Sequence, residues 1–283
     1  MTFLFSPGMG GIILRADAES TFADVPTPAA VSSAWKAALT PSDTTPGFID
    51  LHLHVLPGLD DGARDLDASV AMLRGLEALG YRRLVSTPHA DDRKHTFGRD
   101  RIETVAAQLR DAARAAGVGL EIDFGAEYAY GPRFHADLEA RCLITLARSR
   151  YVLLELPEAF MPATMPSVLF GVGTSGYYPI LAHPERCTPF HDDLQKLETL
   201  AAGRALIQVS MRSLAGTFGR TIKRTAWALV EGGLADLVAT DCHHPNELKK
   251  IVGPVLDELK QRLPRRRLDQ LMSTTPADLL ASG

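Results

Sequence analysis

From Phe48 onward, apolar β-prone stretches alternate with helical ones, and this alternation restricts the fold more than any other feature of the chain. The pattern predicts strands over 48–53, 82–87, 119–125, 150–156, 177–182, 204–210 and 234–240. It predicts helices over 66–79, 99–116, 132–140, 163–175, 191–202, 219–232 and 246–262. Strands separated by helices build parallel βαβ units. Seven such units predict an α/β fold closed into a distorted (β/α)7 barrel of the TIM type. Polar clusters fall at or just past the ends of five predicted strands: His52/His54, Thr87-Pro88-His89, Gly125-Ala126-Glu127, His183-Pro184-Glu185-Arg186 and Asp241-Cys242-His243. In a parallel barrel the strand C-termini meet on one face, where active sites are built. An open doubly wound sheet would gather them less evenly, at a single crevice. The expected organisation is one catalytic domain over 47–283, preceded by a poorly structured extension, 1–46, rich in Ala, Ser, Thr and Pro.

Charge and cysteine usage exclude several classes. The 283 residues carry a formal net charge of −4, against the basic surface that phosphate-driven nucleic-acid binding requires. Cys142, Cys187 and Cys242 contain no C-x-x-C pair and do not read as a disulfide framework, so a reducing cytoplasm is expected. No apolar run approaches the roughly 18 residues needed to cross a bilayer, and the N-terminal apolar residues are broken by Pro7, Gly8, Gly10 and Gly11 without a basic leader. Neither membrane insertion nor a signal peptide is expected. The oligomeric state is not legible.

The candidate chemistry lies in eight side chains: His52, His54, Asp61, His89, Glu127, His183, Asp241 and His243. His52 and His54 are two apart, so on a strand they share a face and form a ready pair of nitrogen ligands. A tetrahedral ion takes about four ligands, so eight imply more than one ion. Mixed nitrogen and oxygen donors suit manganese, iron or zinc. Glu127, with two carboxylate oxygens, is a candidate bridge between ions. Clustered divalent ions activate water and clamp the oxygens of a transferring phosphoryl group. Arg186, three residues after His183, offers a fork for non-bridging phosphate oxygens; its alternative is a salt bridge to Glu185 or Glu155. One pattern competes. Cys142 to Arg148, followed by Ser149, matches the C-x5-R-S signature of cysteine-dependent phosphatases. That chemistry needs a loop of exposed backbone N–H groups, and the intervening Leu, Ile, Thr, Leu and Ala contain no glycine. They read as a packed connection.

The motifs Asp50-x-His52-x-His54, Thr87-Pro88-His89, Glu127, His183-Pro184-Glu185-Arg186 and Asp241-x-His243 resemble those of the PHP (polymerase and histidinol phosphatase) superfamily. The stretches His54 to Gly62, Tyr151 to Pro157, Pro179 to Arg186 and Gln208 through Gly219 are similar to the bacterial metal-dependent protein-tyrosine phosphatases of capsule and exopolysaccharide clusters. The resemblance implies about three divalent ions, often manganese. His52, His54, Glu127 and Asp241 would hold one, Glu127 and His183 would help hold a second, and Asp61, His89 and His243 a third. Arg186 would bind phosphate, and His243 or a bound water would assist the leaving group. The implied substrate is the phosphotyrosine tail of a bacterial tyrosine autokinase. Arginines common past the Asp-x-His motif are absent here; Lys249 or Lys250 is expected to stand in as a point charge. The rival readings are a small-molecule phosphomonoesterase, such as one for histidinol phosphate, and a non-catalytic module that docks on a kinase.

Overall fold

The computed structural model describes residues 47–91 and 94–282, and the expected extension 1–46 lies outside the described residues. The strands are β1 (Phe48–Leu53), β2 (Tyr81–Ser86), β3 (His89–Ala90), β4 (Glu121–Phe124), β5 (Glu127–Ala129), β6 (Tyr151–Glu155), β7 (Tyr178–Ala182), β8 (Leu206–Ser210) and β9 (Leu237–Ala239). All pairings are parallel, in two sheets ordered β1-β2-β4 and β3-β5-β6-β7-β8-β9. The two sheets are segments of one wall. β2 runs into β3 through Thr87-Pro88, where proline supplies no N–H to the ladder, and β4 runs into β5 through Gly125-Ala126. Backbone bonds cross these breaks, from Thr87 N to Leu53 O (2.9 Å), Gly125 N to Ser86 O (2.8 Å) and Glu127 N to Pro88 O (3.1 Å). On the other side the wall closes just past β1 and β9, where Asp241 N donates to His52 O (2.8 Å) and His54 N to Cys242 O (3.0 Å). The seven expected strands are therefore present, two of them broken. The breaks make the barrel irregular and leave β3 and β5 too short for any sequence period to reveal.

Helices α1 (Leu66–Ala78), α2 (Arg99–Ala115), α3 (Pro132–Glu139), α4 (Met165–Thr174), α5 (Leu194–Ala201), α6 (Met211–Ala215) and α7 (Arg220–Glu231) lie along the wall. The Asp65 carboxylate caps α1, accepting from Ala68 N at 2.8 Å. The helices bury Met72, Leu73, Leu76, Leu109, Leu169, Leu197 and Leu229 against the outer face of the strands. Each such side chain contributes about 1.5–3 kcal/mol by leaving water. A smaller cluster fills the interior: Leu51, Val85, Tyr151, Leu153, Ile180 and Leu237. Leu279 and Leu280 of the terminal helix Thr275–Ala281 pack with it beside Tyr151 and Tyr178, where β6 and β7 begin. That end is plugged with apolar side chains, and the opposite end carries the polar clusters. The predicted helix 246–262 contains a π-helical turn at Leu248–Val252, and the short α6 was not anticipated. The Arg265-Arg266-Arg267 run opens the helix Arg265–Asp269.

Candidate metal centre

The eight side chains singled out in the sequence meet at the C-terminal ends of the strands. Their ligating atoms fall into three overlapping groups: His52, His54 and Asp241; His52, Glu127 and His183; and His54, Asp61, His89 and His243. All are buried except Asp61, which is 69% exposed, and His89, which is 25% exposed. The site is therefore deep on one side and open at the Asp61 rim.

The hydrogen bonds behind the histidines decide which nitrogen each presents. His54 Nδ1–H donates to Asp60 Oδ2 at 2.6 Å, and His52 Nδ1–H donates to Gln208 Oε1 at 2.9 Å. Both Nε2 lone pairs then face inward, 3.3 Å from each other. Glu127 Oε2 lies 3.2 and 3.5 Å from them, and Asp241 Oδ1 3.6 and 3.7 Å. Ligands about 2.1 Å from a tetrahedral ion are about 3.4 Å apart, so these separations match the edges of a coordination shell. Glu127 Oε2 is buried and, among the described residues, makes no well-aligned hydrogen bond. The same oxygen lies 2.9 Å from His89 Nδ1. A single buried carboxylate oxygen ringed by three imidazoles suits a cation, and the residues fit a metal.

The other Glu127 oxygen, Oε1, contacts His183 Nε2 at 2.8 Å, so the two oxygens serve different groups. Glu155 Oε1 lies 3.8 Å from the same nitrogen. On the rim, Asp61 Oδ1 is 3.3 Å from His89 Nε2 and 3.4 Å from His243 Nε2. Two residues of the site take left-handed backbone, His183 at φ +33° and Asp241 at φ +53°. Such conformations cost about 1–3 kcal/mol each and persist where surrounding contacts impose them.

Protonation without a metal follows from the same geometry. Burial lowers His52, but the Glu127 and Asp241 carboxylates outweigh it and lift the ring to about 9. His89 is likewise desolvated, yet its bonds to Asp61 and Glu127 raise it to about 11. Burial, reinforced by neighbouring His243, holds His54 down at about 4; burial and Arg186 do the same to His183. Burial and the facing Glu127 carboxylate push Glu155 up to about 7.

Several residues around the cluster take supporting roles that the sequence did not assign to them. Asp50, which opens the Asp50-x-His52-x-His54 motif, does not join the eight. Its carboxylate accepts from Thr240 Oγ1, Thr240 N and His52 N, tying β1 to the residue before Asp241. Asp60, adjacent to the expected ligand Asp61, points inward as the support of His54 instead. Gln208 and Glu155 sit on β8 and β6, where a polar side chain in an apolar strand was the available signal. Gly62 is required by space: a Cβ there would stand 2.2 Å from His54 O.

Arg186 pairs with neither Glu185 nor Glu155. It donates to Asp241 Oδ2 and, at 3.4 Å, to Ser210 Oγ, while Glu185 Oε1 accepts from Ser210 N at 2.9 Å. Lys249 is exposed on the π-helical turn and makes no hydrogen bond or ion pair with a described site residue. The cation beside His243 is Arg212, whose Nη1 is 3.2 Å from His243 Nδ1. Cys142 is exposed, and burial and the Asp137 carboxylate raise its thiol, the opposite of an activated nucleophile. Cys242 is buried and turns its thiol to His244 O.

The family described as "Capsular polysaccharide synthesis, CpsB/CapC" matches residues 48–281. The chain is 32% identical over 197 residues to the tyrosine-protein phosphatase YwqE of Bacillus subtilis, covering 70% of this chain and 78% of that protein. It is 24% identical over 238 residues to the tyrosine-protein phosphatase CpsB of Streptococcus pneumoniae, covering 82% and 98%. A solved structure from work on YwqE and CpsB, described there as unique metal-dependent tyrosine phosphatases, superposes with a TM-score of 0.75 at 28% identity, over 83% of this chain and 94% of that one. An amidohydrolase from Mycoplasma synoviae shares the fold alone, at a TM-score of 0.57 and 12% identity over 83% and 88% of the two chains. A barrel of parallel strands, a metal-fitting cluster at their C-terminal ends and a family match across the described domain agree: the chain belongs to the CpsB/CapC family of capsular polysaccharide synthesis.

Proposed function

We propose that this chain is a metal-dependent protein-tyrosine phosphatase that acts in the cytoplasm on the phosphotyrosine tail of a bacterial tyrosine autokinase controlling capsule or exopolysaccharide synthesis. The observation that carries the reading is the convergence of inward-facing lone pairs beside the Arg186 guanidinium. We assign His52, His54, Glu127 and Asp241 to one ion, Glu127, His183 and Glu155 to a second, and Asp61, His89 and His243 to a third. The nitrogen and oxygen donors, without a thiolate, suit manganese, with iron and zinc as rivals. Ions bound there supply water activated for attack at neutral pH and a charge clamp on the phosphate oxygens. Asp241 divides its oxygens, Oδ1 toward His52 and His54 and Oδ2 toward Arg186 and Ser210, so one carboxylate both ligates and positions the guanidinium. Arg186 then orients non-bridging phosphate oxygens. His243 donates Nδ1–H to Asp241 O at 2.9 Å and turns Nε2 to Asp61, which supports ligation over proton transfer to the leaving group. A phenolate leaves without much assistance, so this costs little. The exposed Asp61 rim is the side from which a phosphotyrosine on a flexible segment would approach.

The test compares kcat/KM for a phosphotyrosine peptide with that for histidinol phosphate, both with manganese. A preference for the peptide of about tenfold or more is expected. Equal or better hydrolysis of the alkyl ester would establish the metabolite phosphatase instead. Tight binding of a kinase tail without turnover would establish the docking module.

A further inference from the structure

Resting on the phosphatase reading above, we infer that Arg212 is a second guanidinium that contacts the substrate phosphate, beside Arg186. Arg212 lies at the start of α6, directly after β8, and its side chain is 20% exposed. Its Nη1 faces His243 Nδ1 at 3.2 Å, but that nitrogen is also 2.9 Å from the Asp241 carbonyl. A carbonyl oxygen only accepts, so the Nδ1 proton must point to Asp241 O, and the ring then offers Arg212 no lone pair. The Arg212 Nε is buried with no hydrogen-bond partner among the described residues. Glu247 is near, with Oε1 3.6 Å from Nε, beyond hydrogen-bond range, while its Oε2 accepts from His243 N at 2.8 Å. The guanidinium thus has a counter-charge but no acceptor that satisfies its fork, and a planar fork without acceptors matches a phosphate.

A second observation brings the two arginines together. The guanidinium carbons of Arg186 and Arg212 lie 4.2 and 5.2 Å from the centre of the same Phe218 ring, which is 36% exposed. Arg186 Nε is also buried without a hydrogen-bond partner among the described residues. Two like charges on one aromatic ring repel each other, and a dianion placed between their free donors removes the repulsion and satisfies both forks. Asp241 beside Arg186 and His243 beside Arg212 lie two residues apart on one chain segment, which places both guanidinium groups at the edge of the metal-fitting cluster. Phe218 packs against both guanidinium groups and remains partly exposed.

Inorganic phosphate is the probe. Its dissociation constant is measured calorimetrically on manganese-loaded wild type, Arg212→Met and Arg212→Lys, and bound manganese is counted in each protein. Loss of a charge-assisted contact predicts phosphate binding weaker by about tenfold or more in Arg212→Met, with partial recovery in Arg212→Lys, which restores the charge without the fork. Manganese content stays as in wild type, and KM for a phosphotyrosine peptide rises with the phosphate constant. Unchanged phosphate affinity in Arg212→Met overturns the inference. So does a parallel loss of manganese, which would make Arg212 a brace for the Asp241–His243 segment. A defect confined to peptides with an acidic residue beside the tyrosine also overturns it, since the contact would then be to peptide. If wild type fails to hydrolyse phosphotyrosine while its phosphate affinity still depends on Arg212, the phosphatase reading falls and the anion contact stands.

Discussion

Asp60→Asn replaces one carboxylate oxygen with an NH2 group and isolates the support behind the cluster. In wild type, Asp60 Oδ2 accepts from His54 Nδ1 at 2.6 Å and from His89 N at 3.0 Å, and Oδ1 accepts from Gly62 N at 3.0 Å. Asparagine offers one oxygen, so its amide group must face at least one of these three donors. The cheaper orientation keeps the oxygen on His54 and His89 and leaves Gly62 N unpaired, at about 1–3 kcal/mol of folding stability. The bond to His54 survives but loses its ionic character, and the imidazole becomes less firmly held and less basic at Nε2. Loss of such a partner costs about 10–100-fold in metal affinity, equivalent to about 1.4–2.7 kcal/mol. Manganese affinity is read by competition with a chelating dye, and stability by urea unfolding in chelator. A variant that binds manganese within about twofold of wild type would refute the claim that Asp60 fixes the ligating nitrogen of His54.

Three further outcomes follow from the geometry. Gly62→Ala places a methyl group 2.2 Å from His54 O and is expected to destabilise the chelated protein by about 1–3 kcal/mol, measured by urea unfolding; an unchanged midpoint contradicts the packing argument. Manganese affinity rises with pH between about 6 and 8, because His52 and His89, with folded pKa values near 9 and 11 in the metal-free site, are protonated there and must release those protons on ligation; calorimetry in buffers of different ionisation enthalpy counts the protons, and a pH-independent affinity contradicts the assignment. Cys142→Ser leaves manganese-dependent hydrolysis unchanged, as its exposed thiol beside Asp137 is not activated; loss of activity would restore the cysteine mechanism.

The barrel was legible because apolar strands alternate with amphipathic helices, and alternation survives a few residues of error at each boundary. All eight candidate ligands were legible for a related reason: His, Asp and Glu at the ends of apolar strands stand out against their surroundings. What surrounds them was not. Whether Asp60 or Asp61 turns inward depends on the turn after His54, and no local pattern distinguishes adjacent aspartates. Asp50 shares the alternation of His52 and His54, yet the register shift of β1 against β2 and the pull of Thr240 take its carboxylate elsewhere. Arg212 follows Ser210-Met211 in a segment that reads as a strand end, and its place beside His243 arises only when β8 and β9 pair. Lys249 looked close in sequence to Asp241-Cys242-His243, but the helical turn after His244 carries it to the surface.

The central claim is that phosphotyrosine hydrolysis depends on metal held by this cluster. The direct measurement is turnover of a phosphotyrosine peptide by the purified protein as isolated, after chelation, and after manganese is restored, with His54→Ala taken through the same cycle. The account predicts activity lost on chelation, regained with manganese, and absent throughout in His54→Ala. Wild-type turnover that persists in chelator, or His54→Ala turnover that manganese restores to the wild-type level, would contradict it.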